Sequence, residues 1–545
     1  MPRKIARILI ALRKLRRRLQ RVDVLRVWTL AVLIGAAAAY GVIGFRFAID
    51  AVSSLAFGED EGGVVSGAAS LTTWRAWAAP VIGGFVVSGI LYLADRFKWL
   101  TGGRGQGVAD VIEARAVTGG HISLRAGLAA ATVSAVSIGA GGSAGREGPA
   151  VHLGATIASI LNRKLGFTAK HRRALLGCGA AAAVSASFNA PVAGVLFALE
   201  VILGNYALSM FGPIAAASVA AAIVTRIHLG DFPAFAPPDY GAVHNTIDVP
   251  LAALLGVFCG LVASGFLQAV ERMTVSVREF AQNRNISYLL LPPIGGVIVG
   301  FIGIFYPEVF GVGYEAVTKA LNGDYAIHLL VILVLMKAAA TAVTLSCRFG
   351  GGVFSPGLVI GAFMGAAFGA GLSQIFPGAT ASPVYYAMIG MGAVSGAILG
   401  APISTTLIVF ELTGEYGITV SLMVAVAIAT LITQWTCGRS FFHWQLSRRG
   451  YDLSEGPQGI ILKTMRVREV MEKMPPGSPL PADADRLETG QSLGAALAKL
   501  NEAEEHGLPV VDAADKDQIV GYLSRVKALA AYNKALIDEH IEHHT

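Results

Sequence analysis

Apolar residues run in long blocks from about Val27 to Leu446, broken by short clusters of glycine, proline and charge. The clearest runs are Val27–Phe57, Ala78–Ala94, Leu251–Val270, Leu289–Ile304, His328–Leu345 and Ile418–Ile432. Several reach the roughly 17–25 residues that a bilayer-spanning helix needs. Other apolar pieces are short, and Pro149, Pro191, Pro356 and Pro402 each open one. Proline suits the first turn of a helix, where its missing N–H is no loss. The pattern therefore predicts helices that start inside the bilayer as well as helices that cross it. Irregular backbone at that depth is tolerated only when buried in protein or lining a wet cavity. A polytopic membrane protein with an internal cavity is expected.

The apolar domain repeats itself. "FNAPVAGVLFALE" (Phe188–Glu200) matches "LGAPISTTLIVFE" (Leu399–Glu411) at an offset of 211 residues, with the Ala-Pro pair and the final Glu preserved. "GPAVHLGA" (Gly148–Ala155) matches "SPGLVIGA" (Ser355–Ala362) at 207, and "GCGA" (Gly177–Ala180) matches "GMGA" (Gly390–Ala393) at 213. The halves lie at about 76–230 and 250–446. Duplicated halves with Gly/Pro-interrupted apolar segments are a transporter pattern, and the repeat leaves parallel and inverted arrangements both open.

Composition agrees with the pattern. The 545 residues are 54% hydrophobic and 14% charged, against about 25% charged in soluble proteins, and mean hydropathy is +0.60. The first 26 residues hold ten Lys or Arg and one Asp, which places this segment in the cytoplasm by the positive-inside rule. It is too basic for too long to be a signal peptide. It suits an anionic lipid surface as well as a plain topology signal, and its position beside a membrane domain argues against nucleic acid. From Tyr451 to Thr545 there are sixteen Asp or Glu against ten Lys or Arg, so an acidic tail of about −6 follows a membrane domain of about +13. The chain divides into a basic segment 1–26, a membrane domain 27–450 and a cytoplasmic tail 451–545 with a proline-rich loop at Met474–Ala484. Cys178, Cys259, Cys347 and Cys437 lack metal-site and disulfide spacing, and read as buried small hydrophobes.

The charged motif is "GSAGREGPAVHLGA", Gly142–Ala155. A helix N-terminus presents unpaired N–H groups and about half a positive charge, so it binds an anion without a cationic side chain. "GREGP" and "GGVFSP" put glycine, which allows close backbone approach, just before two such starts. Glu147 is a tethered anion beside such a site. Two roles are open to it: a structural cap for helix N–H groups, or a gate that occupies the site and swings out when protonated or displaced. Intramembrane carboxylates are functional by default. Arg146 reads as a structural cation, Lys337 as a helix-end cation and His152 as a core histidine. For Glu200 and Glu411, hydrogen bonding to a neighbouring backbone and proton transfer are both open.

At these residues the chain resembles the CLC family of chloride channels and proton-coupled chloride exchangers, from about Val27 to Trp444. "GGSAGREGP" carries the resemblance, with "GGVFSPG", "FNAPVAGVLFALE" and "GVGYE" (Gly311–Glu315) in support. The resemblance implies an all-α polytopic membrane fold of two inverted repeats of tilted, broken helices, assembled as a homodimer in the inner or plasma membrane with one anion pathway per subunit and both termini cytoplasmic. It implies that Glu147 is the gating residue. Gly145, Arg146, Gly148, Gly352, Val353, Phe354 and Ser355 then surround the anion. Three departures stand out. The family's first anion loop, usually G-S-G-I-P, becomes Gly105-Gln106-Gly107-Val108-Ala109, so Gln106 replaces a serine hydroxyl and Ala109 a proline. The inner-gate tyrosine falls on Phe442, which loses a hydroxyl. The second, proton-delivering glutamate of many exchangers falls on Val201, as in the family's channels.

The tail from Met465 to about Leu536 resembles a single CBS module, opened by "VREVM" and closed by "GLPVVDAADKDQIVGYLSR", which predicts strand, turn and strand. Such modules imply a small cytoplasmic α/β domain that serves dimerisation and regulation or binds an adenine nucleotide. The function expected is membrane transport of chloride or a similar small anion through a pathway gated by Glu147, as a channel, with proton-coupled exchange as the alternative. No metal or other cofactor is expected. A membrane-embedded hydrolase would need a nucleophile and base or HExxH spacing, which the spans lack, so no enzyme is expected. A membrane-anchored sensor acting through the tail would not need the repeat or a buried Glu147.

Overall fold

The computed structural model describes residues 2–100, 107–163, 169–231, 235, 247–377, 380–414, 417–451, 456–473, 485–503, 506–512 and 518–544. The chain forms two compact units, the first running to Phe442 and the second made mainly of His443–Thr545. The first unit is helical. Its helices are α1 (Pro2–Phe57), α2 (Val64–Ser70), α3 (Thr73–Arg96), α4 (Val108–Val117), α5 (Leu124–Gly139), α6 (Glu147–Arg163), α7 (Ala169–Phe188) and α8 (Pro191–Phe197), which continues as a π-helical turn over Ala198–Leu203. Then come α9 (Leu208–Leu229), α10 (Asp248–Asn283), α11 (Leu291–Phe305), α12 (Tyr314–Leu321), α13 (Ile327–Ser346), α14 (Phe354–Ile375), α15 (Pro383–Leu399), α16 (Pro402–Thr413), α17 (Thr419–Cys437) and α18 (Phe441–Ser447), whose residues from His443 onward belong to the second unit.

Among the described residues, 8 helices are long and apolar enough to cross a membrane, and Leu124–Gly139, Pro191–Leu203, Pro383–Leu399 and Pro402–Thr413 are shorter apolar helices. The long runs read from sequence become α1, α3, α10, α11, α13 and α17. The basic N-terminal segment is continuous with the first span in α1. Pro191 and Pro402 are the first residues of α8 and α16, and Pro149 and Pro356 are third in α6 and α14.

The two halves hold each other through reciprocal hydrogen bonds between equivalent residues. Gly145 N–H donates to Gly352 O at 2.8 Å, and Gly352 N–H donates to Gly145 O at 2.7 Å. Gly350 N–H donates to Ser137 Oγ at 2.9 Å, while Ser143 N–H donates to Thr344 Oγ1 at 3.1 Å. All three matches share the 207-residue offset. At the 211-residue offset, the Glu200 carboxylate accepts from Ile403 and Ser404 N–H at 3.2 and 2.7 Å, and the Glu411 carboxylate accepts from Val192 and Ala193 N–H at 3.1 and 2.7 Å. A contact in which residue i meets j′ and j meets i′ is the mark of a two-fold relation. Each carboxylate lies near the end of one apolar helix and caps the start of the other, so the equivalent helices run antiparallel. Equivalent helices running in opposite directions make the repeats inverted, the arrangement that the sequence repeat left open.

The match of "GCGA" with "GMGA" needs a correction. Helices α6 and α7 touch through Gly154 and Gly179, where an added Cβ on either would strike the other's carbonyl oxygen, and α14 and α15 touch in the same way through Gly361 and Gly390. The structural partner of Gly390 is therefore Gly179, at 211 residues, and not Gly177 at 213. The Gly-rich similarity of the two segments shifted the match by two positions.

The second unit carries α19 (Gly456–Thr464), α20 (Val467–Val470), β1 (Glu472–Lys473), β2 (Leu487–Glu488), α21 (Leu493–Glu502), β3 (Gly507–Val511), β4 (Ile519–Ser524) and α22 (Arg525–His544). Its sheet has the order β1-β4-β3-β2, with β3 and β4 antiparallel and β2 and β3 parallel. These are the two strands expected from "GLPVVDAADKDQIVGYLSR", while the turn between them at 513–517 lies outside the described residues. Val467, Leu487, Leu493, Leu500, Leu508, Val510 and Leu523 form its core. The proline-rich loop at 474–484 lies outside the described residues.

The Glu411→Ala substitution removes a charged acceptor and leaves two N–H groups of α8 without it. It is expected to lower the stability of the detergent-solubilised protein by about 1–3 kcal/mol, read as a fall in Tm. Glu200→Ala should cost a similar amount, and an unchanged Tm in both would mean that the caps do not hold the halves together.

Candidate functional site

The Gly145–Gly352 bridge brings the starts of α6 and α14 face to face. Glu147 is the first residue of α6 and Ser355 the second of α14. The Ser355 hydroxyl donates to Glu147 Oε1 in a buried hydrogen bond. The other carboxylate oxygen, Oε2, is buried and has no hydrogen-bond partner. It fills the place where a side chain on Gly145 would stand, a place 3.0 Å from Ser355 N and 3.3 Å from Pro356 Cδ. The carboxylate of the first repeat thus sits at the N-terminus of the second repeat's helix. Both helix dipoles favour negative charge there.

The backbones approach closely at this contact. Gly352 lies against Gly148, where an added Cβ would stand 3.3 Å from Gly148 N, and Gly351 has φ +139°, a left-handed conformation. Val353 precedes α14 and is buried, and the Phe354 ring packs edge-on against Phe188 at 5.2 Å.

The Arg146 side chain takes the structural role read from sequence and stays out of the anion site. Its guanidinium turns away and pairs with Glu61, both side chains being at most 6% exposed. It also donates to Ser187 O at 3.2 Å and lies 4.9 Å over the Tyr314 ring. Only the Arg146 backbone stays with α6, where its carbonyl accepts from Ala150 N–H at 3.1 Å. The reason is electrostatic: a buried guanidinium needs a carboxylate partner, and Glu61 supplies one. Glu61, Tyr314 and Ser187 were not singled out from sequence. Tyr314 lies inside "GVGYE", but nothing in "GEDEGG" distinguishes Glu61 from Glu59 or Asp60. The neighbouring Glu315 accepts from Val65 N–H at 2.8 Å and Ser66 N–H at 3.1 Å, which fastens α12 to the start of α2.

The remaining expected residues separate. Gln106 lies outside the described residues. Its neighbour Gly107 donates its N–H to Asp110 at 2.9 Å, an N-terminal reach-back that starts α4 with Ala109 in its first turn. Phe442 is buried with its ring against Phe441 at 5.9 Å; among the described contacts none joins it to Glu147 or Ser355. Lys337 is not at the end of its helix. It is fully buried in the middle of α13 and donates to Val309 O at 2.9 Å and Gly311 O at 3.0 Å, so it serves the carbonyl end of a neighbouring turn. His152 is buried, and so are Cys178, Cys259 and Cys347.

The fold and site define a polytopic membrane protein in which an inverted pair of broken-helix repeats converges on a carboxylate. The voltage gated chloride channel family model matches residues 83–434. The chain is 33% identical over 427 residues to a putative ClcB-like chloride channel protein of Ralstonia nicotianae, covering 78% of this chain and 97% of that one. It is 31% identical over 410 residues to the voltage-gated ClC-type chloride channel ClcB of Escherichia coli, covering 74% and 95%. Among solved structures, a slow cyanobacterial Cl-/H+ antiporter matches with TM-score 0.68 and 22% identity over 78% of this chain and 98% of its own. A CLC-type fluoride/proton antiporter matches with TM-score 0.62 and 22% identity over 76% and 97%. A eukaryotic CLC transporter has TM-score 0.64 and 16% identity over 93% and 98%, an extent that takes in part of the second unit. These structural likenesses concern the fold. The chain belongs to the voltage gated chloride channel family.

Removing Glu61 leaves Arg146 charged, buried and unpaired. Glu61→Ala is expected to destabilise the protein by about 3–5 kcal/mol, measured as loss of folded yield and a lower Tm. Wild-type stability in this variant would show that Arg146 finds water or another partner.

Proposed function

We propose that this protein carries small anions such as chloride across the membrane through a pathway that Glu147 gates. The observation that supports this most is the Glu147 carboxylate itself, buried where two helix N-termini converge and held by the Ser355 hydroxyl. An ionised carboxylate there imitates the transported anion and blocks its place. An entering anion displaces it, or a proton neutralises it, and the side chain swings aside. The vacated place then offers the N–H groups at the starts of α6 and α14, near Gly148 and Val353–Ser355, together with the Ser355 hydroxyl. Gln106 and Phe442 would complete the pathway in this reading.

Val201 in place of a second, proton-delivering carboxylate supports passive channel conduction. Coupled exchange is the second reading, and it is favoured by the described activity of two solved relatives, both antiporters. We read the protein as a homodimer with one pathway per subunit and both termini in the cytoplasm. The tail is read as a CBS-like module for dimerisation and regulation, with an adenine nucleotide as its candidate ligand.

Reconstitution into liposomes under a chloride gradient tests the choice. Net chloride flux without stoichiometric proton movement is expected; uphill proton pumping driven by chloride would overturn the channel reading. Glu147→Gln cannot ionise. It is expected to keep flux, to lose any proton coupling and to flatten the dependence of flux on pH, and an unchanged pH dependence would remove Glu147 from gating.

Ser355→Ala deletes a hydrogen bond made to the blocking carboxylate. It is expected to raise the open fraction about fivefold or more, measured as initial flux at neutral pH. Flux equal to wild type would mean that the hydroxyl does not hold the gate.

A further inference from the structure

Helix α3 and the residue after it expose apolar side chains at Ile82, Val86, Leu93 and Phe97. Steps of four, seven and four residues put them on one face of the helix. Gly89 stands in the gap of this stripe. It is exposed, and a Cβ added there would meet nothing within 4 Å. Glycine inside a helix weakens it, and no close approach of protein explains this one. It leaves a notch in an apolar face that the membrane reading turns toward acyl chains.

At the foot of the stripe the ends of α3, α10 and α13 meet through Tyr288. Its hydroxyl donates to Asp95 Oδ2 at 3.0 Å, and the Arg348 guanidinium lies 4.7 Å over its ring. Phe97 and Trp99 are exposed and stack on each other at 5.4 Å. Each of the three helices closes with an N–H that reaches back five residues: Trp99 to Ala94 O, Ile286 to Ala281 O and Phe349 to Thr344 O. The residues before these donors, Lys98, Asn285 and Arg348, have left-handed φ of 53°, 52° and 66°. Glycine is usual at that place and asparagine next, yet two of the three here are cations. Asp95 attracts Arg348 through space. Neither the Lys98 nor the Arg348 side chain forms an ion pair or donates to a helix carbonyl among the described residues. Segments 95–100, 278–288 and 346–348 together hold five Lys or Arg against Asp95 and Glu279.

Exposed cations beside a stacked aromatic pair, at the end of an apolar stripe, match a phospholipid from headgroup to chain. Arginine suits phosphate oxygens, and aromatic rings settle at headgroup level. The seven residues of α2 are too few to recross a bilayer, so the end of α3 returns to the side of the basic segment that begins α1. That is the inner leaflet in our reading, where anionic lipids gather. We propose that the ends of α3, α10 and α13 bind one anionic phospholipid, with Lys98 and Arg348 on its phosphate, Phe97 and Trp99 beside the headgroup and an acyl chain across Gly89. A soluble phosphate would use the cations but not the stripe or its notch. The site rests on the membrane reading and not on the anion pathway.

For the test, full-length protein in detergent is titrated with phosphatidylglycerol or phosphatidylcholine, and bound lipid is counted by native mass spectrometry. Phosphatidylglycerol is expected to be held more tightly, at one per subunit. A cation near the membrane surface is worth about fivefold in anionic-lipid affinity. Lys98→Asn and Arg348→Asn, which suit the left-handed turn, should each weaken phosphatidylglycerol binding by about that factor and leave phosphatidylcholine unchanged. Gly89→Leu keeps every charge and favours the helix, but fills the notch, and should weaken phosphatidylglycerol as well. Equal retention of the two lipids overturns the proposal, as does undiminished binding in the cation variants or in Gly89→Leu. Displacement of the lipid by inorganic phosphate alone would make this a free-phosphate site and overturn it too.

Discussion

Two helix starts face each other inside an apolar domain, and the Gly145–Gly352 bridge keeps them there. Everything at the site follows from this contact. A helix start carries unpaired N–H groups, and lipid offers them nothing, so they must be answered from within the protein. The first repeat sets the Glu147 carboxylate against the start of the second, where it accepts from the Ser355 hydroxyl. Only glycine permits the approach, since a side chain at Gly145 would occupy the carboxylate's own place. The arrangement is also poised. A group that satisfies helix dipoles by its negative charge can be exchanged for another negative charge, and a free anion is the natural competitor.

Arg146 and Glu147 are adjacent in sequence yet serve opposite surroundings. Pairing them with each other would have joined the tethered anion to a fixed cation and removed its ability to leave. Instead Glu61 takes the Arg146 guanidinium, with the Tyr314 ring and the Ser187 carbonyl as further neighbours. Burying such a pair gains little stability of its own, because desolvation offsets most of the attraction. Its effect is one of placement, keeping a positive group close to the gate but bound elsewhere.

The inverted repeat gives these contacts their frame. Equivalent residues cap one another across the two-fold relation, from Ser137 and Thr344 near the bridge to Glu200 and Glu411 at the short helices. Both carboxylates therefore have backbone partners, the hydrogen-bonding role that their position in sequence allowed. Short helices are affordable in lipid only where their ends are satisfied by protein. The reciprocal caps do this for both halves with one piece of chemistry.

Much of the fold was legible in the order of residues. Apolar run lengths marked the spans, the prolines marked the broken starts, and the 207 and 211 offsets marked the duplication. These signals are local, or depend on one segment resembling another. The sequence also singled out Glu147 and Ser355, because a charge and a helix start within an apolar repeat are visible without coordinates. Distances between the halves were not visible. The inverted arrangement was implied by the family resemblance and not by the repeat itself; that Gly179 and not Gly177 answers Gly390, that Lys337 serves a neighbouring turn and that Glu61 captures Arg146 all depend on contacts across long stretches of chain. Such contacts are set by packing geometry, in which several acidic residues of one loop are equivalent until only one of them reaches the buried cation.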